Sequence, residues 1–153
     1  MKRFSIYLLF VICLFITGCG NDKTLEVATL DEFETITSNM GFTVNDNMRI
    51  YSNVSYILNS KVAKYEEIEI EMIEYSDASY AETVQNNHIE SFNLLKSTGA
   101  YAEKEKGGNY YKYALVSNGR YMVSTRVDNT LIFCKVLLED RETVEAIMDE
   151  LGY

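Results

Sequence analysis

Residues 109–138 read NYYKYALVSNGRYMVSTRVDNTLIFCKVLL, three apolar runs separated by two short polar segments. The segments are Asn118-Gly119 and Asp128-Asn129, both typical of tight turns. Asn-Gly favours a two-residue type I′ hairpin, and a hairpin of known turn type fixes which residues of its strands lie opposite each other. The stretch therefore predicts three antiparallel strands in a meander.

Pairing outward from the first turn places Val116 opposite Tyr121, Ala114 opposite Val123 and Lys112 opposite Thr125. A two-residue second turn then places Val123 beside Cys134 and Tyr121 beside Val136. Because successive residues of a strand point to opposite faces, one face of the meander is a predicted core. Its members are Ala114, Val116, Val123, Val127, Ile132, Cys134 and Val136.

The opposite face is also mostly apolar, with cationic side chains set among aromatic rings. We predict from it a candidate binding face, an amphipathic groove for a protein, peptide or glycan partner, formed by Tyr111, Tyr113, Met122, Ser124, Arg126 and Phe133. Tyr111 and Arg126 are cross-strand partners in this register, within reach of a cation–π contact. The other interpretation, which the sequence favours, is that the first or the last helix of the domain covers this face, because three amphipathic helices need somewhere to bury their apolar stripes.

The residues before the meander predict two helices and two strands. Thr29 and Glu32 form a capping box at the start of a helix that ends at Gly41. Strands are predicted at residues 53–60 and 65–75, the longest helix at 77–95, a mobile connection at 97–109 and a last helix at 140–151. The predicted fold is α+β, with an antiparallel sheet of about five strands in the order α-β-β-α-β-β-β-α and helices packed on one or both faces.

An acidic row stands out in the second strand, where Ile68, Ile70 and Met72 alternate with glutamates. The glutamates are Glu67, Glu69 and Glu71. The row could be a cation site, but three like charges along one exposed strand face are typical of a solvated face, which is the interpretation we favour. The apolar positions change phase after Met72, which predicts a bulge or a sheet edge there.

The chain begins with Met1-Lys2-Arg3 and an apolar run over residues 4–16. The run is shorter than the ~18–20 residues of a membrane-spanning helix, so a secretion signal is favoured over an uncut signal anchor. Residues 16–19, ITGC, resemble the lipobox of bacterial lipoproteins. The resemblance implies that Cys19 is lipidated and becomes the mature N-terminus, so that the protein is anchored to the extracytoplasmic face of the cell membrane. The expected organisation is a signal peptide at 1–18, a lipidated tether at 19–28 and one domain at 29–153.

The body is similar to small uncharacterised lipoproteins of Gram-positive bacteria in the motifs GFTV, residues 41–44, and ELGY, residues 150–153. That similarity implies no particular function.

Composition narrows the classes of partner. Removing residues 1–18 takes away two positive charges and no acids, so the formal charge falls from −9 to −11. Such an acidic body argues against nucleic acid, whose phosphates are bound by Lys and Arg. Cys13 lies in the signal and Cys19 carries the lipid, so Cys134 has no partner for an intrachain disulfide.

No catalytic set is evident. The only histidine, His88, shares a helix face with Val84 and Phe92, which favours a partly buried ring. One histidine and one free thiol are too few for a zinc site, and no cofactor is expected. The leading hypothesis is therefore a non-enzymatic binding or accessory module.

Two other functions stay open at this point. One is a carboxylate-based hydrolase of cell-surface glycans, with paired acids drawn from Glu67, Glu69, Glu71 and Asp128. The other is a purely structural accessory subunit.

Overall fold

A computed structural model describes residues 23–153. The helices are α1 (Leu30–Asn39), α2 (Ala78–Leu94) and α3 (Arg141–Leu151). The strands are β1 (Thr43–Asp46), β2 (Ile57–Tyr65), β3 (Ile68–Tyr75), β4 (Tyr101–Lys106), β5 (Tyr110–Ser117), β6 (Arg120–Val127) and β7 (Thr130–Leu137). Single 3₁₀ turns lie at Met48–Tyr51 and Leu138–Asp140.

The seven strands form one antiparallel sheet in the order β1-β2-β3-β7-β6-β5-β4. The prediction of about five strands in the order α-β-β-α-β-β-β-α is therefore wrong. The observed order is α-β-β-β-α-β-β-β-β-α.

Both unpredicted strands are sheet edges. β1 is four residues long with only Val44 partly buried, and every residue of β4 is exposed. Neither sequence, TVND or YAEKEK, carries the alternation of apolar and polar residues that marks a half-buried strand. β1 is held in the sheet by backbone pairing with β2, and β4 by pairing with β5. The charged side chains of β4 are typical of an edge strand whose outer side has no partner. The segment predicted as a mobile connection thus contains a strand.

The predicted meander is confirmed residue by residue. Val116 pairs with Tyr121, Ala114 with Val123, and Val123 with Cys134. Asn118 and Gly119 both have positive φ, 53° and 69°, as a type I′ turn requires.

The predicted helix ends are confirmed too. The Thr29 hydroxyl accepts from the Glu32 amide, and the Glu32 carboxylate accepts from the Thr29 amide at 2.8 Å. At the other end of α1 the Phe42 amide donates to the Thr37 carbonyl and the Gly41 amide to that of Ser38, both at 3.0 Å. This is the Schellman arrangement, with Gly41 at φ 91°.

The helices lie on both faces of the sheet. α1 and α3 cover the face that carries Ile70, Val123 and Ile132, and they form the larger core with it. α2 covers the opposite face. β3 lies between β2 and β7, so it is not a sheet edge. Met72 packs in the core on the α1 and α3 face and Ile73 in the core on the α2 face, and this explains the change of apolar phase after Met72. The predicted bulge in β3 is wrong: the irregularity falls in β2, between Ile57 and Asn59.

Residues 23–28, assigned above to the tether, lie along the body. The Leu25 amide donates to Asn109 Oδ1 at 2.9 Å, Asn109 Nδ2 donates to the Leu25 carbonyl at 2.9 Å, and the Gly108 amide donates to the Lys23 carbonyl. Ala28 is buried in the larger core. Among residues 23–153, no helix is both long and apolar enough to cross a membrane.

We expect Gly107→Ala to destabilise the fold. A methyl group there would overlap both the Tyr110 ring and the Lys23 carbonyl oxygen, so both must move. Overpacking of this kind lowers the free energy of unfolding by about 1–3 kcal/mol. Urea denaturation measures the loss, with the exposed Lys106→Ala as the control. Equal midpoints for the two variants would contradict the expected overlap.

Candidate functional site

Helix α2 lies across the candidate binding face predicted from the sequence. Tyr113, Met122 and Ser124 are buried beneath it, while Tyr111, Arg126 and Phe133 stay half-buried. The expectation that the first or the last helix covers this face is wrong, because the helix that covers it is the middle one, α2. α2 follows β3 after only two residues, and it runs back over β6 and β7.

Tyr111 and Arg126 are cross-strand partners, as predicted. Within residues 23–153 the cation–π contacts are made by Lys23, Lys104 and Arg141, and not by Arg126. Arg126 Nη1 lies instead 3.4 Å from the Asp128 carbonyl oxygen, to which it donates.

Gln85 ties α2 to this face of the sheet. Its Nε2 donates to the carbonyl oxygens of Tyr111 at 2.6 Å and Ser124 at 3.0 Å. The helix is thereby fixed over the middle of the predicted face, and the face is divided into two ends.

The end that includes Phe133 opens into a cavity of about 340 Å³. We call it the tyrosine cavity; it is lined by Tyr51, Tyr56, Glu71, Tyr75, His88 and Phe133, together with four valine and isoleucine side chains. The volume lies at the lower end of the ~300–1,000 Å³ typical of small-molecule sites. Like most small-molecule sites, the cavity has a mainly apolar wall with a few polar groups.

Glu71 is the only carboxylate that lines the cavity. Its Oε1 accepts from Asn47 Nδ2 at 2.7 Å, from the Tyr51 hydroxyl at 2.9 Å and from Ser60 Oγ at 2.8 Å. Hydrogen bonds to a charged group each contribute about 1.5–3 kcal/mol. Within the described part of the chain, no donor reaches Oε2.

Glu71 corrects the interpretation of the acidic row. Glu67 and Glu69 are exposed, and Glu69 pairs with Lys64, as a solvated face requires. Glu71 is instead partly buried beneath the 3₁₀ turn at Met48–Tyr51. The sequence carried no signal for this, because Asn47 and Tyr51 reach Glu71 across more than 15 residues.

Tyr75 ends the same strand and is 0% exposed. Its hydroxyl is buried and has no hydrogen-bond partner within residues 23–153. Burial, and then the neighbouring Tyr51 and Glu71, raise the pKa of Tyr75 well above its usual value, so the hydroxyl stays protonated. An unpaired buried hydroxyl costs about 1–3 kcal/mol, and such groups call for an explanation.

A stack of tyrosines leads from the surface to the cavity. The ring centroids of Tyr80 and Tyr56 are 4.7 Å apart, and those of Tyr56 and Tyr75 are 6.4 Å apart. Tyr80 is 43% exposed and Tyr56 36%, whereas Tyr75 is buried. The mouth of the cavity is therefore aromatic.

His88 forms another part of the wall. Its ring centroid lies 4.2 Å from that of Phe133, and its Nδ1 lies 3.2 Å from Ser124 Oγ. Burial lowers the pKa of His88 to about 4, so the ring is neutral near pH 7. The prediction of a partly buried histidine is confirmed.

Acidification is expected to destabilise the wild type more than His88→Phe. The folded-state pKa is about 4 and the ordinary value 6.5, so the unfolded chain binds more protons between these values. The contribution of His88 to the free energy of unfolding is then fully present above pH 6.5 and is lost as the pH drops toward 4. The loss is about 2 kcal/mol at pH 5 and about 3 kcal/mol near pH 4. Urea denaturation of both proteins at pH 7.5 and pH 5 measures the difference. Identical losses would show that His88 does not titrate on unfolding.

Cys134 is not a candidate nucleophile. It is buried in the larger core, and burial raises the pKa of its thiol to about 12. Thiolate reactivity is thereby suppressed.

The four acids considered for a hydrolase do not line a common cavity. Asp128 lies at the β6–β7 turn and accepts from Asn109 Nδ2 at 2.8 Å, while Glu67 and Glu69 are exposed on the surface. A paired-carboxylate mechanism needs a second acid facing the same cleft. Only one of the four acids, Glu71, lines the tyrosine cavity.

Comparison with known proteins adds little. No family model and no curated protein matches the chain. A solved structure described as a GTP binding regulator from Thermotoga maritima is similar over 86% of this chain and 90% of that one, with 17% identity and a TM-score of 0.47. A likeness this weak supports no conclusion about the fold or the function. The predicted lipidation site, Cys19, lies outside the described residues.

Proposed function

We propose that this protein is a lipid-anchored extracytoplasmic binding module and that the tyrosine cavity is its ligand site. The observation that carries the site is the Tyr75 hydroxyl, which is buried without a hydrogen-bond partner among residues 23–153 in a side chain that lines an aromatic cavity together with Glu71. A binding site keeps such atoms for a ligand, whereas a packed core pairs them.

A lipid on Cys19 would attach the domain to the membrane through the docked segment at residues 23–28. If Cys19 carries the lipid, three residues of the sequence separate it from Lys23, whose carbonyl accepts from the Gly108 amide. The lipid would then hold the domain against the membrane near the β4–β5 turn.

The cavity is placed away from this anchor. Residues 25–28 pack with the core on the α1 and α3 face, and the cavity lies on the α2 face. β5 is also separated from β7 by β6. An anchored domain would thus keep the cavity open to molecules outside the cell.

A fragment screen on the processed, full-length protein in detergent micelles tests the ligand site. The fragments are neutral, anionic and cationic, and ¹³C-labelled tyrosine reports on the cavity. We expect at least one class to shift the signals of Tyr51, Tyr56 and Tyr75 while Tyr121, on the other face, is unaffected. Val84→Trp, which fills the cavity from α2, should suppress the shifts.

Two results would contradict the ligand site. One is a cavity that responds to no fragment. The other is an equal response in the wild type and in Val84→Trp.

A further inference from the structure

The tyrosine cavity contains a carboxylate that has no positively charged partner among residues 23–153. Among the described residues, Glu71 is the one carboxylate in its wall, no lysine or arginine lines it, and each group that donates to Oε1 is neutral. Among the salt bridges of residues 23–153, none includes Glu71; Lys61, Lys64 and Arg141 pair with other acids. A partly buried carboxylate without a positively charged partner favours the binding of a cation beside it.

The rings around Glu71 favour the same charge. Tyr51, Tyr56, Tyr75 and Phe133 all line the cavity, and the face of an aromatic ring attracts a cation. The remaining wall is made of valine and isoleucine side chains, which suit an aliphatic chain.

We infer that the ligand is a primary alkylammonium, whose N–H groups donate to Glu71 Oε2 and, with a side-chain shift that uncovers it, to the Tyr75 hydroxyl oxygen. This inference rests on the proposed ligand site and names the class of molecule that fills it. A quaternary ammonium satisfies the aromatic rings, but it has no N–H and leaves both oxygens unpaired. A metal ion lacks ligands here, because residues 23–153 contain no group of three His, Cys, Asp or Glu side chains close enough to hold one.

Calorimetric titration of the processed protein in micelles at pH 7 tests the inference with three probes. They are n-butylamine, which is protonated at this pH, tetramethylammonium and 1-butanol. We expect butylammonium to bind about tenfold or more tightly than either of the others, because only it brings both charge and N–H donors.

Two variants test whether butylammonium binds to Glu71 Oε2 and to the Tyr75 hydroxyl. Glu71→Gln is expected to weaken butylammonium about tenfold or more, whereas Glu69→Gln, two residues away on the same strand face and exposed, leaves it unchanged. Tyr75→Phe separates binding from folding. It removes an unpaired hydroxyl, so the urea midpoint should be unchanged or higher while butylammonium binds several-fold more weakly.

Equal affinity for butylammonium and butanol would overturn the inference, and so would full binding by both Glu71→Gln and Tyr75→Phe. If butylammonium does not bind but neutral or anionic fragments still shift the signals of the cavity tyrosines, the alkylammonium inference is wrong and the proposed ligand site is retained. If no fragment binds at all, both proposals fall.

Discussion

Cys19→Ser is expected to abolish fatty-acid labelling of this protein in living cells. Serine has no thiol, so the thioether that the lipobox resemblance implies cannot form. The consequence for the membrane is large, because each buried methylene contributes about 0.8 kcal/mol and two acyl chains give stable anchoring where one is marginal.

The other two cysteines of the chain provide the controls. Cys13→Ser changes the apolar run of the signal, and Cys134→Ser changes a buried core position. Both should be labelled like the wild type in cells given an alkyne-tagged fatty acid. Labelling of Cys19→Ser, or an unlabelled wild type that keeps residues 1–18 by mass spectrometry, would show that the lipid anchor is wrong.

Phe33→Ala is expected to produce the largest loss of stability. Phe33 is 0% exposed and joins α1 to the larger core. Truncating a buried phenylalanine removes about 3–5 kcal/mol, a large part of the ~5–15 kcal/mol that stabilises an ordinary domain. Urea denaturation at neutral pH measures the loss.

Ile36→Ala is the matched control, since Ile36 lies one turn later on α1 and is only partly buried. It should lose clearly less than Phe33→Ala. A Phe33→Ala loss below about 1 kcal/mol, or one equal to that of Ile36→Ala, would contradict the packing of α1 on the sheet.

Local signals in the sequence predicted the parts of the fold that local chemistry determines. Asn118-Gly119 fixed the meander register because only a few turn types join two strands in two residues. Thr29 and Gly41 marked the ends of α1 because each satisfies backbone groups within a few residues. These features need no knowledge of distant parts of the chain.

Features that depend on distant partners were not predictable in this way. β4 is fully exposed and is held by its ladder with β5, so its sequence lacks a buried stripe. Glu71 looks like Glu69 in the sequence, and it differs only because the turn at Met48–Tyr51 folds over it. The six-residue candidate face was located on one side of the sheet, but α2 decides which of its members reach the cavity.

The most direct test of the ligand site is a crystal structure of the protein grown with n-butylamine at neutral pH. We predict electron density for the amine in the tyrosine cavity, with its nitrogen within hydrogen-bond distance of Glu71 Oε2 and the Tyr75 hydroxyl. A cavity that contains only water, with the amine absent or bound elsewhere, would contradict the account.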